Sequence, residues 1–294
     1  MVKNLSIVII SYNTEKITRN CIESVVESIN NKIDYEIVVV DNASTDGSVE
    51  KIKNLVQIIP SNNLKIIENR ENVGFGRANN QGVKNAKGKY VLFLNSDVVI
   101  DKVDFQELMT YLDKNVDIGA LTVKVRLINN QIDPASHRGF PTLWRSFCFF
   151  SGLEGTFGDV YFLKKIFGGY HLLHNNFNTI HEIDSPSGAF FLIRTELFRK
   201  LGGFDDKFFM YGEDLDLAYR IKEQGYKIIY YPKWSVTHLK YQSGLQKDLK
   251  TKATIKRHFY KAMKIFYKKH YEKQYFWFLN KLIYHFIDLK EKLS

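Results

Sequence analysis

From the amino end, unbroken apolar runs alternate with stretches in which apolar residues recur every three or four positions. LSIVIIS (5–11), YEIVVV (35–40), LKIIEN (64–69) and KYVLFLN (89–95) are short and rich in Ile and Val. They lack polar alternation, which predicts strands covered on both faces. Between them, residues 15–30 set Ile17, Cys21, Ile22, Val25, Val26 and Ile29 at helical spacing. Ser44 and Asp46 supply caps for a second helix, and GFGRANNQGVKNA (74–86) opens with glycines and turns helical. The order β-α-β-α-β-α-β predicts an α/β fold with a doubly wound parallel sheet over residues 1–120.

Further on the pattern loosens. Residues 121–185 are rich in aromatics, Asn and Gly, and predict strands and loops covering the sheet edge. SGAFFLIR (187–194) resumes as a core strand, and TELFRKLGGF (195–204) reads as a short helix closed by a glycine pair. EDLDLAYRIKEQGY (213–226) is a helix with Leu215, Leu217, Ala218 and Ile221 inward, followed by strand segments KIIYYP (227–232) and WSVTH (234–238). In 253–271, Ile255, Phe259, Ala262, Met263, Phe266 and Tyr267 share one face and Lys256, Arg257, Lys261, Lys264 and Lys268 the other. YFWFLNKLIYHFIDL (275–289) is aromatic and apolar but interrupted by Lys281. Cationic helices of this kind commonly lie in the headgroup plane of a membrane. The alternative is that both pack on the domain or in a homodimer.

A chain of 294 residues holds one large core, or a main domain with a satellite. No apolar run approaches the ~18–20 residues that span a bilayer. The amino end enters a strand directly, so no secretory leader is expected. Cys21 and Cys148 lie far apart without metal-ligand spacing and read as reduced thiols of a cytosolic protein. Of the net charge of +10, residues 247–294 account for +9, with 13 Lys/Arg against 4 Asp/Glu. A near-neutral body with a basic tail points to a local anionic partner, not to nucleic acid.

Three acidic signals stand where apolar runs stop: Asp41, Asp97 and the pair Glu213-Asp214. The carboxyl edge of an open α/β sheet is where ligands bind. Asp97, in Asn95-Ser96-Asp97, suits a Mg²⁺ or Mn²⁺ that also holds a diphosphate, and suits equally the cap of the following turn. Asp41 and Asn42 can hydrogen-bond a ribose or a base edge. Gly74 and Arg77 offer a close backbone approach and a charge to phosphate, though GxGxxN after a third strand is not a dinucleotide fingerprint. Acidic residues at a helix start also answer the macrodipole; the functional alternative makes Asp214 a proton acceptor. His238 ends a strand and can complete a metal site or simply sit hydrogen-bonded at the surface.

SYN (11–13), VVVDNASTDGS, NVGFGRANN, LFLNSD, SGAFFLIR and GGFDDKFFMYGEDLDLAYR, in this order, resemble the inverting GT-A glycosyltransferases of family 2, and most of all their rhamnosyltransferase-like branch. The resemblance covers about residues 4–245. It implies a GT-A catalytic domain over 1–246, with a nucleotide-sugar half at 1–120 and an acceptor half at 121–246, and a basic aromatic tail at 247–294. Tyr12, Asn13 and Asp41 would contact the nucleoside, Gly74 and Arg77 the diphosphate, with Ser11, Asn42, Asn95 and Ser96 also lining the donor site. Asp97, the last position of a DxD motif whose first is here Asn95, and His238 would hold Mg²⁺ or Mn²⁺. Asp214 would be the base, with Glu213 supporting the acceptor. The donor implied is dTDP-rhamnose or a UDP-sugar, and the acceptor a glycan or polyprenyl-linked saccharide. The setting implied is the inner face of the cell membrane. A non-catalytic scaffold on this fold would require a disrupted base or metal position, and Asp214 and Asp97 are both present.

Overall fold

In the computed structural model, which describes residues 3–29, 33–158, 160–240 and 249–293, the four apolar runs become β1 (Lys3–Ser11), β2 (Tyr35–Asp41), β3 (Leu64–Glu68) and β4 (Gly88–Asn95). They pair in parallel in the order β3-β2-β1-β4, with Ser11 beside Asp41 and Ile10 beside Asn95. Equal register in parallel strands brings these three strand ends to one rim. Helices α1 (Glu15–Ile29), α2 (Ser48–Lys53) and α3 (Phe75–Lys84) return the chain. Cys21, Ile22 and Val25 of α1 cover the face carrying Ile7, Ile9 and Ile37. Ala78 and Val83 of α3 cover the opposite face, with Val8 and Val38. Two covered faces explain why β1 and β2 show no polar alternation.

Past β4 the sheet becomes mixed. β5 (Val98–Lys102), α4 (Phe105–Lys114) and β6 (Ile118–Leu127) add elements that the pattern does not predict. Helices α5 (Leu143–Phe150), α6 (Leu153–Phe157) and α7 (Lys164–Phe167) stand where strands and loops are expected. Thr142 caps α5 by accepting from the Arg145 amide. Then follow β7 (His181–Ile183), β8 (Phe190–Arg194), α8 (Thr195–Lys200), α9 (Glu213–Glu223) and β9 (Lys227–His238). β8 inserts antiparallel between β4 and β6, and β9 runs between β6 and the edge strand β5. The two segments expected at 227–238 are one strand. Its pairing with β6 skips from Tyr231 to Ser235, so Pro232, which has no amide hydrogen to donate, falls in a bulge.

Two helices close the chain, α10 (Leu249–His270) and α11 (Trp277–Leu293). The boundary expected at 246/247 lies outside the described residues. The aromatic face of α10 is turned inward: Ala262, Phe266, Tyr267 and Tyr271 are buried with Phe208 and Leu215 in a small core of their own. His270 and Lys269 approach the buried Asp216 of α9 at 2.8 and 2.6 Å. The helix expected to meet lipid thus spends most of its apolar face on the domain. Among the described residues, no helix is long and apolar enough to cross a membrane.

Candidate active site

The loops leaving β1 and β2 form one side of the rim. Asp41 is only 2% exposed; its Oδ2 accepts from the Ser44 amide at 2.8 Å, while Oδ1 has no partner. A buried carboxylate oxygen left unpaired is costly, which makes it a candidate ligand contact. Asn13 and Asn42, expected as ligand contacts, also hold neighbouring loops. The Asn13 amide donates to Ser44 Oγ at 2.9 Å and its Oδ1 accepts from the Thr45 amide at 2.8 Å. Asn42 Nδ2 donates to the Gly74 carbonyl at 3.3 Å, and its Oδ1 accepts from Asn69. These residues stitch the rim loops together. Ser11 is buried, while Tyr12, Asn95 and Ser96 are half-buried beside it at the strand ends.

The glycine-rich loop has its own reason for glycine. Gly74 has φ 90°, and a Cβ there would lie 2.5 Å from the Phe209 carbonyl, which accepts from the Phe75 amide at 2.9 Å. The loop is thereby pressed onto the segment leading into α9. Arg77 is exposed and pairs with Asp206 at 3.3 Å.

α9 opens after Tyr211 (φ 66°) and Gly212 (φ 80°), so the backbone turns sharply just before Glu213. Glu213, Asp214 and Asp216 are all buried in its first turn, where the helix dipole favours negative charge. Asp214 Oδ2 accepts from Arg138 Nη2 at 2.7 Å, and Oδ1 from the Leu215 amide at 2.7 Å. Glu213 Oε2 is buried without a partner. Burial, then the charge of Asp214, push its carboxyl up to about 8. Asp216 moves the other way, to about 2: burial opposes the charge, but His270, Arg220 and Lys269 outweigh it.

Asp97 and His238 meet because β5 pairs with β9 in a register that sets Val98 beside His238. His238 Nε2 lies 3.1 Å from Asp97 Oδ1, and Nδ1 lies 2.7 Å from Oδ2 of the fully buried Asp133. Lys240 reaches Asp133 Oδ1 at 2.9 Å. Burial works against a charged imidazole, yet hydrogen bonds to Asp133 and Asp97 raise His238 to about 9. Asp133 falls well below the usual carboxylate range, burial again being outweighed by His238 and Lys240. The donor chemistry fits a divalent cation. A carboxylate oxygen and an imidazole nitrogen face one point, and the outer imidazole nitrogen is fixed by a carboxylate, as ligating histidines usually are. Among the described residues, no group of three or more His, Cys, Asp or Glu could by itself hold a metal. A diphosphate would have to supply the rest of the shell, and His238 would have to shed a proton.

Contacts link the loops that carry these residues. Asn42 bonds the Gly74 carbonyl, Gly76 lies against Glu213, and a Cβ at Gly188 would sit 3.0 Å from Phe75 and 3.4 Å from Asn95 Oδ1. Arg138 and Asp133, the partners that fix Asp214 and His238, are absent from the sequence reading. The available signal is DPASHRG (133–139), a charged cluster punctuated by Pro and Gly inside an aromatic stretch.

A mixed α/β sheet with its strand ends gathered around acidic residues defines the class as a GT-A fold. The solved structure of GalNAc-T7 with UDP, GalNAc and Mn²⁺ matches with a TM-score of 0.63 at 18% identity, over 84% of this chain and 45% of that one. The profile of glycosyl transferase family 2 matches residues 6–202, and that of glycosyl transferase family group 2 matches residues 159–286. The chain belongs to glycosyl transferase family 2. A low-salt glycan biosynthesis hexosyltransferase of Haloferax volcanii is 26% identical over 234 residues, 78% of this chain and 64% of that protein. The N-acetylglucosaminyl-diphospho-decaprenol L-rhamnosyltransferase of Mycobacterium tuberculosis is 26% identical over 222 residues, 70% of this chain and 67% of the relative.

Proposed function

We propose that the protein is an inverting glycosyltransferase that moves a sugar from a nucleoside-diphosphate sugar to a hydroxyl of a glycan or lipid-linked saccharide in cell-surface polysaccharide synthesis. The observation that carries this reading is the buried Arg138–Asp214 pair, supported by the unpaired Asp41 oxygen and the Asp97–His238 pair. Asp41 and Tyr12 would take the nucleoside, with Asn13 shaping the loop around it. Ser11, Asn42, Gly74, Asn95 and Ser96 would line the donor site, and Arg77 would have to leave Asp206 to reach a phosphate. A divalent cation held by Asp97 and His238 would offset charge on the departing diphosphate.

Asp214 accepts the proton of the attacking hydroxyl. Its Oδ1 is tied to the Leu215 amide and its Oδ2 to Arg138, so the carboxylate keeps one orientation. Glu213, held protonated at neutral pH, can donate a hydrogen bond to the acceptor. Rhamnose is the favoured sugar because the mycobacterial relative carries a rhamnosyltransferase name, and action at the inner face of the membrane accords with its diphospho-decaprenol acceptor. The test is a panel of nucleotide sugars with Mg²⁺ or Mn²⁺, read by donor hydrolysis and thermal shift. Stabilisation and hydrolysis with dTDP-rhamnose support the full reading, a UDP-sugar alone revises the donor, and no response to any of them refutes it.

A further inference from the structure

We propose that α5, the segment at 160–167 and the outer face of α11 make one composite surface that docks on an anionic phospholipid bilayer. It deepens the reading of a lipid-linked acceptor and rests on that reading for its purpose, not for the binding itself. Among the described residues, 14 of the 20 large apolar side chains left exposed fall between 144 and 166 or between 276 and 293. The other six are scattered, as single exposed apolar residues normally are. Clusters of this kind mark interaction sites.

On α11, Phe278, Leu282, Phe286, Leu289 and Leu293 recur every three or four residues in one exposed stripe. Ile287, on the opposite side, is buried, and Ile283 and Tyr284 pack on the core beside α10. Trp144 and Phe147 of α5 are half exposed, and Tyr161 and Phe162 are 76 and 82% exposed. Phe150 and Phe286 join the two stretches, their ring centroids 6.0 Å apart, and Lys290 donates to the Phe150 carbonyl at 3.1 Å.

Composition decides for a bilayer over a second protein surface. Nine of the 14 exposed residues are Trp, Tyr or Phe, the residues enriched at the headgroup level. Lysines stand among them: Lys281 lies over the Trp277 ring at 4.7 Å and Lys164 over Tyr161 at 5.3 Å. Lysine is depleted from protein–protein interface cores, but at a bilayer it lays its stem on apolar surface and its charge among phosphates. The neighbouring α10 exposes Arg257, Lys261 and Lys268, within the tail that carries +9.

The test uses the whole chain without sugar: co-sedimentation with phosphatidylglycerol-containing and pure phosphatidylcholine vesicles across a salt series, with tryptophan fluorescence. Binding to the anionic vesicles that weakens with salt, with a blue shift from Trp144 and Trp277, is expected. The double variant Leu282→Glu, Phe162→Ser should bind about tenfold or more weakly, and Lys281→Gln about fivefold more weakly. Both should hydrolyse donor as the parent does. A folded protein indifferent to anionic vesicles overturns the proposal. So does a dimer in light scattering that Leu282→Glu converts to monomer, which would make the face a contact between copies. Failure of all donor hydrolysis with vesicle binding intact would instead remove the enzymatic reading.

Discussion

Arg138 Nη2 lies 2.7 Å from Asp214 Oδ2, with both side chains almost withdrawn from water. The same guanidinium nitrogen donates to the Pro186 carbonyl at 2.7 Å, so its own position is fixed from a third segment. The pair joins the irregular stretch after β6 to the first turn of α9.

Arg138→Ala leaves a buried carboxylate without its cation and should cost about 3–5 kcal/mol of stability, with loss of transfer. Adding Asp214→Asn should return part of the stability and none of the activity. Denaturant titration and a transfer assay on the two variants check this; a double variant no more stable than the single one argues against the pairing.

Asp214→Asn keeps size and the Leu215 amide contact but loses the proton acceptor. It should bind donor as the parent does, by thermal shift, and show no measurable transfer. Near-normal turnover would assign the proton to another group.

Glu213 supplies the pH dependence. Its carboxyl is held neutral up to about 8, against an ordinary value of 4.5. Between these values the folded state binds more protons than the unfolded, so stability falls as pH rises through that window. Glu213→Gln is neutral throughout and should flatten the slope. Melting curves at the two ends should coincide near the acid end and favour the variant at the alkaline end.

The Asp97–His238 pair makes the metal prediction. Chelation of divalent ions, or Asp97→Asn, should slow transfer by at least the ~2.7–4 kcal/mol typical of losing one charge-stabilising contact in an active site. Asp133→Asn leaves both proposed ligands in place but frees His238 Nδ1, and should weaken metal binding about 10–100-fold. Isothermal titration with Mn²⁺ reads this without turnover; unchanged affinity would detach Asp133 from the site.

The parallel half was legible because strands covered on both faces leave unbroken Ile/Val runs, each halted by the residue at the rim. Asp41 and Asp97 stood out for that reason; the run before Asp214, FFMYG, is loop and not strand, and Asp214 instead opens α9. α5 was not legible: LWRSFCFF carries the aromatic content of a strand, and its helix is held by ring contacts such as Trp144–Phe167 and Phe149–Tyr170, which no local period encodes. Pro232 reads as a break between two strands but is accommodated as a bulge. Asp133 and Arg138 act over separations of 105 and 76 residues on His238 and Asp214, from a loop with no period at all. Asn13 and Asn42 had the chemistry of ligand contacts, yet their polar atoms are largely committed to neighbouring loops.

β5 has a single strand neighbour, β9. Asp97, made before the middle of the chain, therefore waits for His238, synthesised 141 residues later. On the ribosome the parallel strands β1 to β4 can assemble early, but the Asp97–His238 pair closes only once just over four-fifths of the polypeptide has been made. A nascent chain arrested before that point would carry the Asp41 rim without the Asp97–His238 pair.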